Sequence, residues 1–328
     1  MSPVALNVWR MQVYREKTVG VVVPAYNEAK LIGRTLDTLP DFVDWVVVVD
    51  DCSHDGTVEQ VQERVAEQPE RVILIRHAVN QGVGGAIATG YKWCRDQGVD
   101  VAVVMAGDAQ MDPADLSALL APVVEGEVDY AKGNRLFTGD AWNQIPRIRY
   151  LGNSAMSLLT KIASGYWHVA DSQSGYTAIS ARALGAIDWD RMYKRYGQPN
   201  DLLVRLNVYN FHVRDVPVRP VYNIGETSGV KPLRMIPHLS WLLFKLFLYR
   251  MVQKYVIRDF HPLLFFYLMG VALFLPGVLF GLYLFLHRLF LGSVAPTSAL
   301  FAVFLFVSGL QSIFFAMWFD MEYNRDLR

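Results

Sequence analysis

Apolar residues in this chain fall into two regimes. Up to about residue 220 they come in short blocks of strand length separated by stretches of helical periodicity; beyond Pro232 they merge into long uncharged runs. Thr18–Pro24 (TVGVVVP) and Trp45–Val49 (WVVVV) are continuous rather than alternating, as expected of strands covered on both faces. Between them Leu31, Ile32, Thr35, Leu36 and Leu39 recur at helical spacing, so the order strand, helix, strand predicts a parallel β-α-β unit. A helix over about 56 to 68, a strand Val72–Arg76, an apolar strand from Val101 and another at Tyr130–Gly133 continue the pattern. The fold class predicted is α/β, with a Rossmann-like, mostly parallel sheet.

The second regime predicts a membrane segment. No charged residue occurs from Pro262 to Leu286, nor from Leu289 to Phe319, and each run exceeds the roughly 20 residues that cross a bilayer core. Just before them, Trp241, Phe244, Phe247, Leu248 and Met251 are mixed with Lys245, Arg250, Lys254 and Arg258, the composition of an amphipathic helix lying among headgroups. The expected organisation is an extension over 1–17, an α/β domain over 18–231, an interfacial helical segment over 232–260, and a hairpin over 261–328. Its spans are expected at about 262–286 and 297–319, with a short tail after them. A Gly270 to Gly281 small-residue face would permit homo-oligomers through these helices.

Charge placement orients the hairpin. Lys245, Arg250, Lys254 and Arg258 precede the first span and Arg325 and Arg328 follow the second, against His287 and Arg288 in the connection, which predicts cytoplasmic termini. Residues 1–17 contain no apolar core of signal-peptide length, so the catalytic part is expected in the cytoplasm. A formal net charge of zero gives no support to a nucleic-acid partner. Cys52 and Cys94 lack CxxC spacing, so neither a disulfide nor a zinc site is read from them.

Candidate chemistry gathers where the strands end. The run from Val101 stops in Asp108, Gln110 and Asp112, oxygen ligands suited to Mg2+ or Mn2+ shared with a substrate diphosphate; Asp beside Pro is equally ordinary turn chemistry. Pro24, Tyr26, Asn27, Glu28, Asp50, Asp51, Asp108 and Gln110 all fall at one edge of one sheet, where open α/β sheets bind ligands. Asp51, just after the second strand, could accept from a base or ribose, while Ser53 and Asp55 read as the cap of the following helix. The glycines of AVNQGVGGAIATGYKWC fit neither GxxxxGK[ST] nor the strand-to-GxGxxG setting, and read as close packing of a helix start near a ligand or as plain loop flexibility.

PAYNEAKLIGRTL, VVVVDDCSHDGT, VVMAGDAQMDP, GNR and DSQSGYTA together resemble the successive motifs of family 2 glycosyltransferases with the GT-A fold. More narrowly they resemble the polyprenyl-phosphate enzymes of the dolichyl-phosphate mannose and glucose synthase type, over about residues 18 to 230. The resemblance implies a nucleotide-sugar donor, a divalent metal, a polyprenyl-phosphate acceptor and an inverting transfer. By position, Pro24, Tyr26, Glu28 and Asp51 would hold the nucleoside, and Asp108 and Gln110 the metal and diphosphate. The family commonly has Asp-x-Asp there, whereas this chain has Ala106 at the first acidic position; Asp112 could compensate.

Arg135 of the GNR-like motif, and one of Arg147 or Arg149 shortly after it, resemble the residues that grip the lipid phosphate; a guanidinium clamps phosphate bidentately. Ser174 and Gly175 would lie beside the sugar. Asp201 sits where many family 2 enzymes place a general base, although a phosphate monoester is already anionic near pH 7 and mainly needs positioning. Lys231 is a candidate for stabilising the leaving diphosphate, or an interfacial lysine. The motif variant leans toward a UDP-sugar over GDP-mannose. The rival readings are a transferase acting on a polysaccharide or glycolipid, against which stands the absence of a QxxRW segment, and an inactive membrane scaffold.

Overall fold

The computed structural model describes residues 14–136, 147–219, 221 and 232–328, with backbone alone at 147–153 and 232–235. Its first compact unit, through Phe247 together with Leu327 and Arg328, is built on a seven-stranded sheet of order β3-β2-β1-β4-β6-β5-β7. The strands are β1 Val19–Ala25, β2 Trp45–Asp50, β3 Val72–Arg76, β4 Val101–Val104, β5 Tyr130–Asn134, β6 Thr177–Ser180 and β7 Val213–Pro217. Every pairing is parallel except those of β6, which runs antiparallel to both β4 and β5. The expected α/β, mostly parallel sheet is thus present.

Helices cover both faces: α1 Ile32–Asp37, α2 Thr57–Glu67, α3 Val83–Asp96, α4 Leu116–Val124, α5 Arg147–Ser164, α6 Ala181–Ala186 and α7 Gln198–Val208. Valine-rich strands suit this two-sided burial, since β-branched side chains pack well on a pleated surface. Val21, Val23, Val46, Val48 and Val103 join Ile32, Val61, Leu116 and Leu120 on one face. Val22, Val47, Val49, Ala102 and Val104 join Ile87, Tyr91, Leu184 and Leu203 on the other. The parallel course of β1, β2 and β4 brings their C-terminal ends, and the polar residues following them, to one edge of the sheet.

The helix α8, Pro232–Val252, begins in this unit. Leu239 and Leu243 pack with Met156 and Ala163 of α5. On its outer side Trp241 and Phe244 are about half exposed and stack at 5.6 Å, with the Lys245 ammonium 5.4 Å over the Trp241 ring. The helix therefore has an inward apolar face and an uncovered one.

The second unit covers Leu248–Asp326, so the division falls inside α8 rather than at its start. A π-helical turn, Gln253–Arg258, precedes the spans α9 Leu263–Phe290 and α10 Pro296–Tyr323. At 28 residues each they are about 42 Å long, somewhat longer than the uncharged runs. Only 17% and 22% of their most apolar windows are buried within the chain, unlike core helices of a soluble fold. Gly270 and Gly277 do not form a free small-residue face: added Cβ atoms would meet Ile313 and the Phe306 backbone of the other span, and only Gly281 of that stripe faces open space.

Arg250 and Lys254, read from sequence among the basic residues of an amphipathic helix lying in the headgroup layer, are buried instead. The Arg250 guanidinium donates to both Asp320 oxygens at 2.7 and 3.0 Å, the Tyr255 hydroxyl donates to Asp320 Oδ1 at 2.5 Å, and Lys254 Nζ donates to Asn324 Oδ1 at 2.7 Å.

Candidate active site

Three neighbouring strand ends, those of β1, β2 and β4, meet in loops whose backbones are locally strained. Asn27, Cys52 and Ala109 have φ of 57, 66 and 53°, the left-handed region that non-glycine residues enter at a cost and that clusters at functional sites. The loop after β1 is stitched to the loop after β2. Asn27 N–H donates to Ser53 Oγ (3.0 Å), Asn27 Oδ1 accepts from His54 N–H (2.9 Å), and Glu28 N–H donates to Thr57 Oγ1 (2.8 Å). Ser53 is therefore not the cap of α2. Asp55 only partly fills that role: one oxygen accepts from Thr57 N–H at 3.0 Å and the other from Ala29 N–H at 3.1 Å.

The two acidic residues ending β2 are both buried and serve different loops. Asp50 accepts from Ser53 N–H at 3.3 Å, and Arg76 Nε lies 3.9 Å from its carboxylate. Asp51 is 3% exposed, and its carboxylate meets His77 Nδ1 (2.7 Å), Gln81 N–H (2.8 Å) and Gly82 N–H (2.7 Å). His77 Nε2 in turn lies 2.9 Å from Thr89 Oγ1. So Asp51, expected to face a nucleoside, first of all fastens the loop that opens α3.

That loop explains its glycines. Gly82 has φ of 87°, and a Cβ there would strike the Lys194 carbonyl oxygen at 2.5 Å; one on Gly84 would run into the carbonyl of Tyr193. Gly85 N–H donates to that same Lys194 oxygen at 3.1 Å. The close packing expected from the sequence is against the 193–194 backbone.

The same backbone engages Asp201. Its Oδ2 accepts Tyr193 N–H at 2.7 Å and its Oδ1 accepts from Arg205 Nε at 2.9 Å. Burial raises its pKa against the opposing pull of Arg205 and of that N–H. A general-base role draws no support from this geometry, because the carboxylate is buried and committed to the 193–205 scaffold.

Beyond β4 the chain runs beside β1, Gly107 N–H donating to the Pro24 oxygen at 3.2 Å, before Asp108 Oδ1 accepts Gln110 N–H at 3.1 Å. Glu28 stands across from this turn. Burial, then the negative charges of Asp108 and Asp55, push its carboxyl up to about 7. Pro24, Tyr26, Asn27, Glu28, Asp50, Asp51, Asp108 and Gln110 therefore do lie on adjoining strand-end loops, around concentrated negative charge.

Asp112, the expected third oxygen ligand, has partners of its own. Its Oδ1 accepts Ala114 N–H at 2.9 Å to cap the next helical turn, and its Oδ2 is 3.2 Å from Arg219 Nη2. Among the described residues no three His, Cys, Asp or Glu side chains converge as a self-sufficient metal cage. A cation shared with a diphosphate needs fewer, since Mg2+ sites commonly use one or two carboxylates plus phosphate oxygens, and the Asp108–Gln110 oxygens beside a charge-perturbed Glu28 fit that kind of site.

The other wall comes from β5 and the turn before β6. Arg135 Nε and Nη2 grip both oxygens of buried Asp171 at 2.7 and 3.0 Å, and its N–H adds a third bond at 3.2 Å. Burial works to raise the Asp171 pKa, but Arg135 and then Lys132 hold it below the ordinary carboxylate value. Ser174 is buried. A Cβ on Gly175 would lie 3.4 Å from Met111 Cε, and the Tyr176 hydroxyl donates to the backbone carbonyl of Asp112 at 3.2 Å, so the DSQSGY and AGDAQMDP segments are neighbours. Arg147 and Arg149 lie on α5 with side chains outside the described residues, and Lys231 lies outside them altogether.

Sequence reasoning missed His77, Lys132 and Arg219, and placed Asp171 only as the first residue of the DSQSGY motif, without its pairing to Arg135. The partners of Arg219 and Lys132 lie 104 and 42 residues away, respectively, and no local pattern announces them.

Residues 20–187 match the family model described as Glycosyl transferase family 2. The chain belongs to glycosyl transferase family 2. This glycosyltransferase is 31% identical over 219 residues to the UDP-N-acetylglucosamine--dolichyl-phosphate N-acetylglucosaminyltransferase of Methanococcus voltae, covering 63% of this chain and 87% of that protein. It is 34% identical over 211 residues to the undecaprenyl-phosphate mannosyltransferase of Micrococcus luteus, covering 63% and 85%. Among solved structures it resembles glucosyl-3-phosphoglycerate synthase from Mycobacterium tuberculosis with phosphoglyceric acid bound, at TM-score 0.51 and 21% identity over 71% of this chain and 80% of that one. Another structure of that synthase holds Mn2+, UDP and glucosyl-3-phosphoglycerate. At such identity the likeness concerns the fold, which is that of GT-A enzymes.

Proposed function

We propose that this glycosyltransferase transfers a hexose from a nucleotide-sugar, a UDP-sugar in preference to GDP-mannose, to the phosphate of a polyprenyl chain such as dolichyl or undecaprenyl phosphate. The observation that carries this reading is the meeting of two turns: Gly175, next to the segment that fixes Arg135, lies against Met111 in the turn that bears Asp108 and Gln110. In this reading a cationic acceptor-side residue and the donor-side oxygens sit on neighbouring turns. Relatives named for dolichyl- and undecaprenyl-phosphate transfer, and two apolar helices left uncovered by the chain's own fold, support a lipid-borne acceptor.

In this reading an acceptor phosphate oxygen attacks C1 of the hexose, the new O–C1 bond forms on the face opposite the donor diphosphate, and the C1–O bond to the diphosphate breaks. The nucleophile arrives already ionised, its second pKa being about 6. No protein base is needed, in keeping with Asp201 being committed elsewhere. Arg135, oriented by Asp171, would place positive charge beside the acceptor phosphate, and one of Arg147 or Arg149 would add a second grip. Asp51 secures the 77–85 loop beside Pro24, Tyr26, Asn27, Glu28 and Asp50, which form the nucleoside side. Ser174 lies beside the sugar, and Lys231 is the cation for the leaving group. Mg2+ or Mn2+, held through Asp108 and Gln110, would supply charge neutralisation at the leaving diphosphate.

Trp241, Phe244 and Lys245 on the uncovered side of α8 suit a headgroup layer, and basic residues outside the spans favour cytoplasmic termini. The test is transfer of labelled sugar from UDP-glucose, UDP-N-acetylglucosamine or GDP-mannose into the organic phase, with short-chain polyprenyl phosphate in detergent. Label from one donor supports the reading. Donor hydrolysis without lipid labelling overturns the acceptor assignment.

A further inference from the structure

Beneath the Arg135–Asp171 pair lies a fully buried lysine that the transfer chemistry has not used. Lys132 sits mid-strand in β5, opposite Thr177 of β6 on one side and Asp215 of β7 on the other. Its ammonium donates to the carbonyl oxygen of Ser174. We propose that Lys132 is a positioning residue for the acceptor phosphate: its charge balances Asp171 and Asp215, fixes the Ser174–Gly175 turn, and keeps Arg135 from serving a net-negative cluster. The proposal rests on reading Arg135 as an acceptor-phosphate residue.

Burying an ammonium is expensive unless charge partners and hydrogen bonds compensate. Lys132 has 0% exposure, so its presence demands a reason that an apolar side chain of like size would not meet. The reason is a count of charges. Asp171 spends both oxygens on Arg135. Asp215 accepts from Asn134 Nδ2 (3.0 Å) and Ala170 N–H (2.7 Å) through Oδ2, while its buried Oδ1 has no hydrogen-bond partner. Two carboxylates and Arg135 alone would leave one negative charge under the acceptor side. With Lys132 protonated the cluster is neutral, and Arg135 can direct its field outward.

The groups facing Lys132 are Asp171 and the Ser174 carbonyl from the turn before β6, Asp215 from β7, and Arg135 at the end of β5. Burial brings Lys132 down to about 8, with Asp171 and Asp215 pulling it back up and Arg135 pushing it lower. Its charge is therefore present below about pH 8 and lost as pH rises through it. Above that pH the cluster gains a net negative charge and the acceptor phosphate is bound less well.

The experiment uses the full chain in detergent, saturating donor, and varied short-chain polyprenyl phosphate from pH 7 upward, where the acceptor, its second pKa about 6, is already mostly the dianion. For the unaltered protein the acceptor KM is expected to rise above about pH 8 while the donor KM stays level. Lys132→Met should raise the acceptor KM about tenfold at pH 7 and abolish the alkaline rise. An unchanged acceptor KM in Lys132→Met, or a rise that persists in it, overturns the proposal. Arg135→Gln separates the layers: if it leaves the acceptor KM unchanged, the parent reading of Arg135 falls. If it raises that KM while Lys132→Met does not, only the role of Lys132 falls. Should Lys132→Met fail to fold, the unaltered protein decides: an acceptor KM flat to pH 9.5 overturns the proposal, and a rise near pH 8 supports it.

Discussion

Replacing Asp51 by Asn separates two roles that sequence alone merges. In the structure the Asp51 carboxylate takes His77 and Gln81 N–H on one oxygen and Gly82 N–H on the other. Asn keeps one acceptor oxygen, which can retain the first pair, but its amide nitrogen must then face Gly82 N–H, donor against donor. Leaving that buried N–H unpaired costs about 1–3 kcal/mol, and the two surviving bonds weaken as a charged acceptor becomes neutral, by about 0.5–1 kcal/mol each. The sum is about 3 kcal/mol. For a catalytic unit of this size it corresponds to a fall in Tm of about 6–12 °C. The loosened 77–85 loop should also raise the donor KM, while the acceptor KM stays level. Thermal unfolding of the detergent-solubilised chain, followed by near-UV circular dichroism alongside donor kinetics, reads both. A raised donor KM with Tm within about 2 °C of the parent would refute the clamp and make Asp51 a direct nucleoside contact only.

Other expectations follow from the same geometry. Asp108→Ala should cut kcat by about 10²–10³-fold and chelation should abolish transfer until Mg2+ or Mn2+ is restored, whereas Asp112→Asn should retain most activity because that side chain caps a turn and meets Arg219; equal losses in the two variants would contradict the assignment. Asp171→Asn should destabilise the catalytic unit by about 2 kcal/mol at neutral pH, discounted from the 3–5 of a fully buried pair because Arg135 is 24% exposed. Because Asp171 titrates below the ordinary 3.8, the stabilisation is complete above that pH and is lost as pH falls through the folded value. The gap between variant and parent should therefore close in acid, and a gap that persists there would contradict the pairing. Asp320→Ala strands the buried Arg250 charge and should cost the second unit about 3–5 kcal/mol, read as earlier loss of helical signal on heating in detergent.

The sheet was legible because its central strands are valine runs that can only be covered on both faces, and because polar residues stop those runs abruptly. β6 was not legible: Thr177–Ser180 (TAIS) is as short as β4 (VAVV) but begins and ends in hydroxyl residues, so no apolar run declares it. The site was legible as a set of strand ends but not as a network. Asp51, Asp112 and Asp201 carry acceptor chemistry that suits a ligand as well as a backbone N–H, and which one they meet depends on loops packed from elsewhere in the chain. Nothing local shows that Arg135 meets Asp171, 36 residues on. The juxtamembrane basic cluster misled for a similar reason, since Asp320, 70 residues from Arg250, draws a residue expected at the headgroups into a buried pair.

The central claim is that a lipid phosphate is the acceptor. It is tested most directly by offering the same polyprenyl chain as phosphate, as free alcohol, and capped by a sugar, each with labelled donor. The account predicts label on the phosphate alone, in an acid-labile product whose anomeric centre is inverted relative to the donor. Label on the alcohol or the sugar-capped lipid, with none on the phosphate, would contradict it.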